Sequence, residues 1–551
     1  MRGSRWSARS VSWASDLPDF DGAIAMTRNA ATTVIALGLM LALATRPSSA
    51  QQLGTLAFPT SGSAAAQAHF ITGMLFMHSF EYPAALKEFR EAERLEPRFA
   101  MAYWGEAMTY THPVWNQQTA DSARAALRRL GPTPAARLAR APTEREKGYL
   151  RAVDVLYGEG SKAGRDTAYS AAMHRLAQSL PQDDEAQLFY ALSLLGLNQG
   201  DRDVATYLRA GEIAQRIFAR QPDHPGAAHY VIHAYDDPPH AQLGLVAARA
   251  YSKIAPDAAH AQHMTSHIFL ALGMWDDVVA ANEVAMRVVN DAAHHAGRGS
   301  RNCGHYAEWL EYGYLQQGRM RDAAKVLDAC WGNPGAEGAT ANVEGIAGMR
   351  AAWIVDSREA KDRFTREPVA KLPGAIAYMA FGTGYAASVR GDRVTLANAY
   401  SATERAVAAM SADERAYGRI LQLGLRALVL TAGGDSIKAL ESAREAARMD
   451  DSLPMPFGPP LTVKPPHELL GELLLAMQRP ADARKEFELA LARTPLRARA
   501  VLGVARAERA LGHGVEAAAA YRRLHGIWRG ADAQVAELAE VRDGAMEGRS
   551  R

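Results

Sequence analysis

Residues 73–97 read GMLFMHSFEYPAALKEFREAERLEP, and residues 471–495 repeat their outline as GELLLAMQRPADARKEFELALARTP. Each copy begins with glycine, places an apolar residue three positions later, continues with Ala-x-x-x-Phe and an alanine, and closes on proline. In the first copy these positions are Gly73, Phe76, Ala85, Phe89, Ala92 and Pro97. The spacing is typical of two antiparallel helices whose small residues touch while the aromatic residues fill the gap to the next pair.

Both segments resemble the tetratricopeptide repeat (TPR), a hairpin of two helices that recurs about every 34 residues. One hairpin cannot cover its own apolar face, so it needs stacked neighbours. The resemblance implies an all-α fold, an α-solenoid of antiparallel helix-turn-helix repeats, and we identify no convincing strand. The histidine-rich middle and a proline-rich insertion together make the chain similar to a subgroup of exported bacterial TPR proteins.

Composition and length limit the class of protein. The chain has 551 residues, of which 48% are hydrophobic and 22% are charged, a balance typical of a globular protein. Its formal net charge of +2 gives no reason to propose a nucleic-acid partner. We find no phosphate-binding loop and no nucleophile motif, so the sequence favours a binding protein over an enzyme.

The N-terminus predicts export. Residues 30–44 form an apolar run that is short for a membrane span, and a small-x-small pattern ends at Ala50. We therefore predict an N-terminal extension with a signal peptide over residues 1–50, a periplasmic or cell-envelope location, and no other transmembrane span. An uncleaved N-terminal anchor is the alternative.

The rest of the chain divides into two predicted repeat regions. Residues 51–65 are small and polar and are interpreted as a tether. Residues 66–330 form an N-terminal half with a histidine-rich centre, and the Gly-rich residues 331–342 form a linker. Residues 343–551 form the C-terminal half, which the proline-rich insertion 451–466 interrupts as a lid or an extended turn.

Histidines in the middle of the chain form a candidate metal site. His229 and His233 lie four residues apart, and His263 and His267 repeat that spacing on a later helix. Neutral imidazoles suit zinc or copper, and the nearby Asp236 could support a ligand. The alternative is that these histidines fill half-buried gaps and cap helices.

The TPR resemblance implies a second candidate site, because the first helix of each TPR hairpin lines a concave groove that binds extended peptides. Transferring that register places nine residues in the groove: His78, Trp104, His112, Asp236, Glu468, Glu472, Arg499, Arg506 and Arg509. Groove arginines could bind a carboxylate of a protein or peptide partner. The alternatives are a solvated surface for the arginines and a core position for Trp104.

The only two cysteines, Cys303 and Cys330, are predicted at the same end of one hairpin. Export permits a disulfide between them, and two buried thiols are the alternative. The sequence thus supports two functions. The first is an exported scaffold that binds a protein or peptide in its groove, and the second is a zinc or copper protein built on the histidines.

Overall fold

The computed structural model describes residues 51–197, 202–332, 339–358, 372–412, 414–455 and 457–547. The predicted signal peptide and residues 333–338 of the predicted linker lie outside the described residues. The described chain is a succession of helices packed as hairpins, which confirms the predicted all-α solenoid.

The helices of the first half are α1 (Ala64–His78), α2 (Tyr82–Leu95), α3 (Ala100–Met108), α4 (Ala120–Leu130), α5 (Pro134–Leu138), α6 (Glu144–Leu156), α7 (Lys162–Ser179), α8 (Asp184–Leu195), α9 (Val204–Arg220), α10 (Pro225–Ala234), α11 (Ala241–Ile254), α12 (Ala259–Ala271), α13 (Trp275–His295), α14 (His305–Gln316) and α15 (Met320–Gly332). Those of the second half are α16 (Ala339–Ser357), α17 (Pro373–Arg390), α18 (Arg393–Ala409), α19 (Arg415–Ala432), α20 (Ser436–Asp451), α21 (Pro466–Ala476), α22 (Pro480–Arg493), α23 (Ala498–Ala510), α24 (Gly514–Ile527) and α25 (Leu538–Met546).

One short ladder departs from the prediction that the chain lacks strands. Strands β1 (Thr111–His112) and β2 (Gln117–Gln118) pair antiparallel around the 3-10 turn Pro113–Trp115. Asn116 takes a left-handed conformation with φ of 54° and reverses the chain. Two residues per strand are too few to give the alternating pattern by which a strand is recognised in sequence.

The repeat signature packs as the sequence predicts. The ring of Phe89 is fully buried and lies between Gly73 on α1 and Gly105 on α3. A Cβ at Gly73 would stand only 2.8 Å from that ring, so the glycine makes room for the aromatic side chain. Phe487 occupies the same position between Gly471 and Gly503 in the second copy.

The predicted tether over residues 51–65 is wrong. Leu53 and Phe58 are buried, and the Phe58 ring packs 5.1 Å from the Tyr149 ring, measured between centroids. The backbone N–H of Thr55 donates to the carbonyl of Asp223 at 3.0 Å. Two apolar side chains among small polar residues are enough to attach the segment to the core, because each contributes about 1.5–3 kcal/mol on burial.

The solenoid closes on its own inner side. His78 at the end of α1 contacts Tyr230 on α10, although the two residues are far apart in sequence. Trp275 Nε1 donates to the Leu496 carbonyl at 2.9 Å, and Trp528 Nε1 donates to the Gln316 carbonyl at 3.0 Å. The middle helices therefore pack against both the first hairpin and the last hairpins. In the described part of the chain, no helix is long and apolar enough to span a bilayer.

Candidate metal centre

Three helices carry the histidines of the candidate site. His224 caps the N-terminus of α10, where its Nδ1 accepts from the Ala227 N–H, and Pro225 fits the first turn. His229 and His233 then lie one turn apart on α10. Helix α12 is buried on all sides and carries a further set of three: His260, His263 and His267. His305, the first residue of α14, completes the six histidines of the site, to which the cap residue His224 does not belong.

His229, His233 and His260 form the first of two groups. One ring nitrogen from each lies within 4.8 Å of the others. The Nδ1 of His229 donates to the His78 carbonyl at 2.6 Å, so its Nε2 carries a free lone pair. All three Nε2 atoms are buried and have no hydrogen-bond partner among the described residues. Buried polar atoms are normally paired, so three unpaired imidazole nitrogens on neighbouring rings indicate a candidate place for a cation.

His263, His267 and His305 form the second group, again with ring nitrogens within 4.8 Å. Asn282 Nδ2 donates to the Val278 carbonyl, which turns its Oδ1 toward His263 Nδ1 at 2.7 Å. His267 Nδ1 donates to Asp236 Oδ2 at 2.5 Å. Both Nδ1 atoms therefore hold the protons, and the two Nε2 lone pairs face each other at 3.1 Å. Two lone pairs at this distance repel each other unless a shared proton or a metal ion lies between them.

Burial favours the neutral form of five rings, those of His229, His233, His260, His263 and His305. It lowers the pKa of His229 to about 3 and that of His305 to about 3. Burial and the neighbouring imidazoles hold the pKa values of His233, His260 and His263 well below the usual 6.5. Neutral imidazole is the form that binds a metal ion, so the environment favours the ligating state.

Aromatic rings enclose the six histidines. Phe80 lies 4.3 Å from the His229 ring, Trp309 lies 4.2 Å from the His267 ring, and Trp115 lies 5.7 Å from the His260 ring, all measured between centroids. The proline insertion closes one side, because Gly458 packs directly against Trp309. The centre is therefore largely screened from bulk water.

A third group, His78, Glu185 and His224, also has ligand atoms within 4.8 Å of one another but is closed by hydrogen bonds. Glu185 accepts from Nε2 of His78 at 2.9 Å and from Nε2 of His224 at 3.0 Å. Tyr230 lies at hydrogen-bond distance from the remaining His78 nitrogen, and His224 Nδ1 caps α10. Each ring nitrogen is satisfied by the protein, so this group is structural.

The predicted metal quartet is thus divided between two groups. His229 and His233 share one group with His260, and His263 and His267 share the other with His305. The predicted support from Asp236 is present as its hydrogen bond to His267, an outer contact that orients a metal-binding imidazole. Asp236 is accordingly buried and lies at no open groove.

Three other residues predicted in the groove lie in the core. Trp104 is 1% exposed and packs edge-on to Phe189, so its hydrophobic area is used for burial. His78 belongs to the closed group above. His112 is buried and stacked on Tyr82, with ring centroids 4.0 Å apart.

The charged groove residues near the other end are paired within the chain. Glu468 and Arg499 are buried, Glu472 binds Arg358 and Lys464, Arg506 binds Glu540, and Arg509 contacts Glu547. Arg499 Nη1 donates to Glu537 at 2.7 Å. Of these residues, Glu468 and Arg499 are buried, Arg506 is half-buried and Arg509 is exposed. The structure pairs these charged side chains within the chain, and a peptide groove at these positions stays a prediction.

The structure contains the disulfide between Cys303 and Cys330, with an S–S distance of 2.11 Å. Cys303 lies just before α14, and Cys330 lies near the end of α15. The bond ties the loop that leads into His305 to the neighbouring helix.

Sequence reasoning named neither His305 nor His260 as a candidate ligand. His305 follows a loop after α13 and shares no spacing with the other five histidines, so only the packing of α14 on α12 reveals it. His260 could have been found, because it lies three residues before His263 on the same helix.

Neither a family model nor a curated protein sequence matches the chain. Solved structures of helical-repeat proteins do. The yeast Tom70 structure is 12% identical, with a TM-score of 0.26, and the match covers 88% of this chain and 95% of that one. The human IFIT1 dimer with m7Gppp-AAAA is 13% identical, with a TM-score of 0.31, and the match covers 86% and 92%. Likeness at this level carries no argument about ligand or activity. By its own hairpins, the described part of the chain is an all-α helical-repeat fold.

Proposed function

We propose that this protein binds transition-metal ions, zinc or copper, through the buried histidines of α10 and α12 and the half-buried His305 of α14. The observation that carries the proposal is that one ring nitrogen from each of His229, His233 and His260 lies close to the others in a buried place, and that the Nε2 atom of each ring has no hydrogen-bond partner among the described residues. Leaving buried acceptors unpaired costs about 1–3 kcal/mol each, and a bound cation removes that cost.

The closed group of His78, Glu185 and His224 supplies the internal comparison. It shows how this fold satisfies buried histidines that have a purely structural role, with a carboxylate and a tyrosine hydroxyl. The first group has no such partners for its Nε2 atoms. The donor set is nitrogen alone, which suits zinc and copper better than magnesium or calcium.

The test is elemental analysis of the purified full-length protein after incubation with zinc or copper(II) and removal of free metal. We expect stoichiometric metal in the wild type and a loss of at least one metal ion per chain in His233→Ala. The matched control is His174→Ala, which removes a histidine stacked on Tyr190 away from the centre and should leave the metal content unchanged. No bound metal in the wild type, and no thermal shift with either ion, would overturn the proposal.

We also propose that the chain acts after export, in the periplasm or cell envelope. The apolar run 30–44 supports this, and so does the disulfide, because such bonds persist in oxidising compartments. Mass spectrometry of the mature N-terminus tests the signal-peptide cleavage: a chain that begins at Gln51 supports cleavage, and a chain that keeps residues 30–44 contradicts it and favours the uncleaved anchor. A peptide partner in the groove, the other predicted function, has less support, because the side chains named for it are buried or paired within the chain.

A further inference from the structure

The two histidine groups lie side by side. The His233 and His267 rings are 6.2 Å apart between centroids, and so are the His260 and His263 rings. Helix α12 contributes to both groups, through His260 on one side and His263 and His267 on the other. Imidazole nitrogens bind a metal at about 2.0–2.1 Å. Ions held by the two groups would therefore be neighbours rather than independent sites.

The donor atoms select the kind of metal. Each group offers three imidazoles, and neither includes a carboxylate oxygen among its ligands. The nearest carboxylates act from outside: Asp236 accepts from Nδ1 of His267, and Glu81 accepts from the backbone N–H of His260 at 3.1 Å. Oxygen-preferring ions are disfavoured in such a set, and among the ions that imidazole suits, copper(II) binds more tightly than zinc.

Charge also limits what can occupy the pair. Two divalent ions would place four positive charges among neutral imidazoles and aromatic rings, and buried charge is costly unless it is compensated. Two copper(I) ions halve that charge. Two copper(II) ions with a dianion bound between them also carry a net charge of +2, the same as two copper(I) ions.

We propose, on the basis of the metal-binding function above, that the two groups form one dinuclear copper centre that binds dioxygen between its metals. Each copper(I) gives one electron, and dioxygen takes both and becomes a peroxide bridging two copper(II) ions. The O–O bond remains, new copper–oxygen bonds form, and neither a proton nor an external reductant is required. Apolar walls made by Phe80, Trp115 and Trp309 suit the entry of an apolar diatomic molecule.

The experiment uses the full-length protein loaded with copper(I) without oxygen, and measures copper per chain, then oxygen uptake with an electrode, then the paramagnetic resonance signal. We expect two copper ions per chain and one dioxygen per copper pair. The copper(II) signal should be absent, because the two spins couple through the bridge. Zinc-loaded protein, which has no electron to give, should take up no oxygen.

The His305→Ala variant is expected to lose one copper ion and all oxygen uptake, and to show the signal of an isolated copper(II) ion after oxidation. The His174→Ala control should behave as wild type. Two bound copper ions with no oxygen uptake, or with a full uncoupled copper(II) signal, would overturn the dinuclear centre and leave metal binding intact. Failure to bind any copper or zinc would overturn both the dinuclear centre and the proposed metal-binding function. A His305→Gln variant and circular dichroism show whether a negative result reflects loss of fold.

Discussion

At the scale of single residues, the centre of the molecule contrasts two ways of burying a histidine. The imidazoles of His78 and His224 share the carboxylate of Glu185, and every ring nitrogen has a partner. His229 satisfies Nδ1 with a backbone carbonyl and leaves Nε2 unpaired beside two similar rings. The same side chain is therefore structural in one group and a candidate ligand in the other, and the difference lies in its hydrogen bonds.

Glu468 illustrates a second buried network, near the end of the chain. Its carboxylate accepts from Lys464 Nζ at 2.7 Å and from Arg497 Nε at 2.7 Å, and Arg497 also binds Asp356 at 2.6 Å. Burial alone would raise the pKa of Glu468, but the charges of Arg497 and Lys464 outweigh it and lower that pKa from 4.5 to about 2. The positive charges of Arg497 and Lys464 and the negative charges of Glu468 and Asp356 compensate one another in the buried interior.

We predict that Glu468→Gln lowers the free energy of unfolding by about 3–5 kcal/mol near pH 7, because Arg497 and Lys464 lose a buried partner. The folded-state pKa of Glu468 lies below its unfolded value, so its contribution is present above pH 4.5 and is lost as the pH falls toward 2. The difference between wild type and variant should narrow by about 2 kcal/mol between pH 7 and pH 3, as urea denaturation would measure.

The matched control for this prediction is Glu540→Gln, which breaks the partly exposed pair with Arg506. A pair of that kind contributes about 1 kcal/mol or less. An equal loss of unfolding free energy in the two variants would contradict the stabilising role of the buried network. So would an effect of Glu468→Gln on that free energy that does not change with pH.

At the scale of helices and hairpins, glycine and phenylalanine set the contact between neighbours. Phe89 and Phe487 each lie between two glycines on flanking helices. The turn before the second helix is also shared by the two copies: Phe80 and Gln478 both take left-handed backbones, with φ of 55° and 58°. Pro83 and Pro480 then occupy the first turns of α2 and α22, where a missing N–H costs nothing.

We predict that Phe89→Ala lowers the free energy of unfolding by about 3–5 kcal/mol, because the cavity it leaves lies between two backbones that cannot collapse freely. The control is Leu95→Ala on the same helix, where the side chain is 40% exposed. That change should cost about 0.5 kcal/mol or less. Similar losses in both variants, by thermal or urea denaturation, would show that the aromatic residue does not fix the repeat contact.

The repeat contacts are the part of the structure that the sequence predicts best, since Gly73, Ala85 and Phe89 act over short distances along the chain. The histidine centre is predicted only in part. The pairs His229/His233 and His263/His267 follow from helix periodicity. Their assignment to different groups depends on how α12 is rotated between α10 and α14, which no local spacing records. The packing of Phe58 in the core was also not predicted. An isolated apolar residue shows no periodicity in the sequence.

At the scale of the whole molecule, curvature decides the function that the fold supports. Each repeat adds a small rotation, and the sum determines whether the inner side is an open groove or a closed interior. Here the inner side closes: α1 meets α10, and the last hairpins meet α13 and α14. Closure buries side chains that the repeat register placed in a groove, such as Trp104 and Asp236, and it brings the two histidine groups together beside the rings of Phe80 and Trp309.

The most direct measurement of the central claim is anomalous X-ray scattering from crystals of the copper-loaded protein, with data collected on both sides of the copper edge. Metal binding by the histidines predicts anomalous peaks beside the ring nitrogens of His229, His233 and His260 and of His263, His267 and His305, and none beside Glu185. Peaks confined to the surface or to the group of His78, Glu185 and His224, or no peaks in protein shown to be folded, would contradict it.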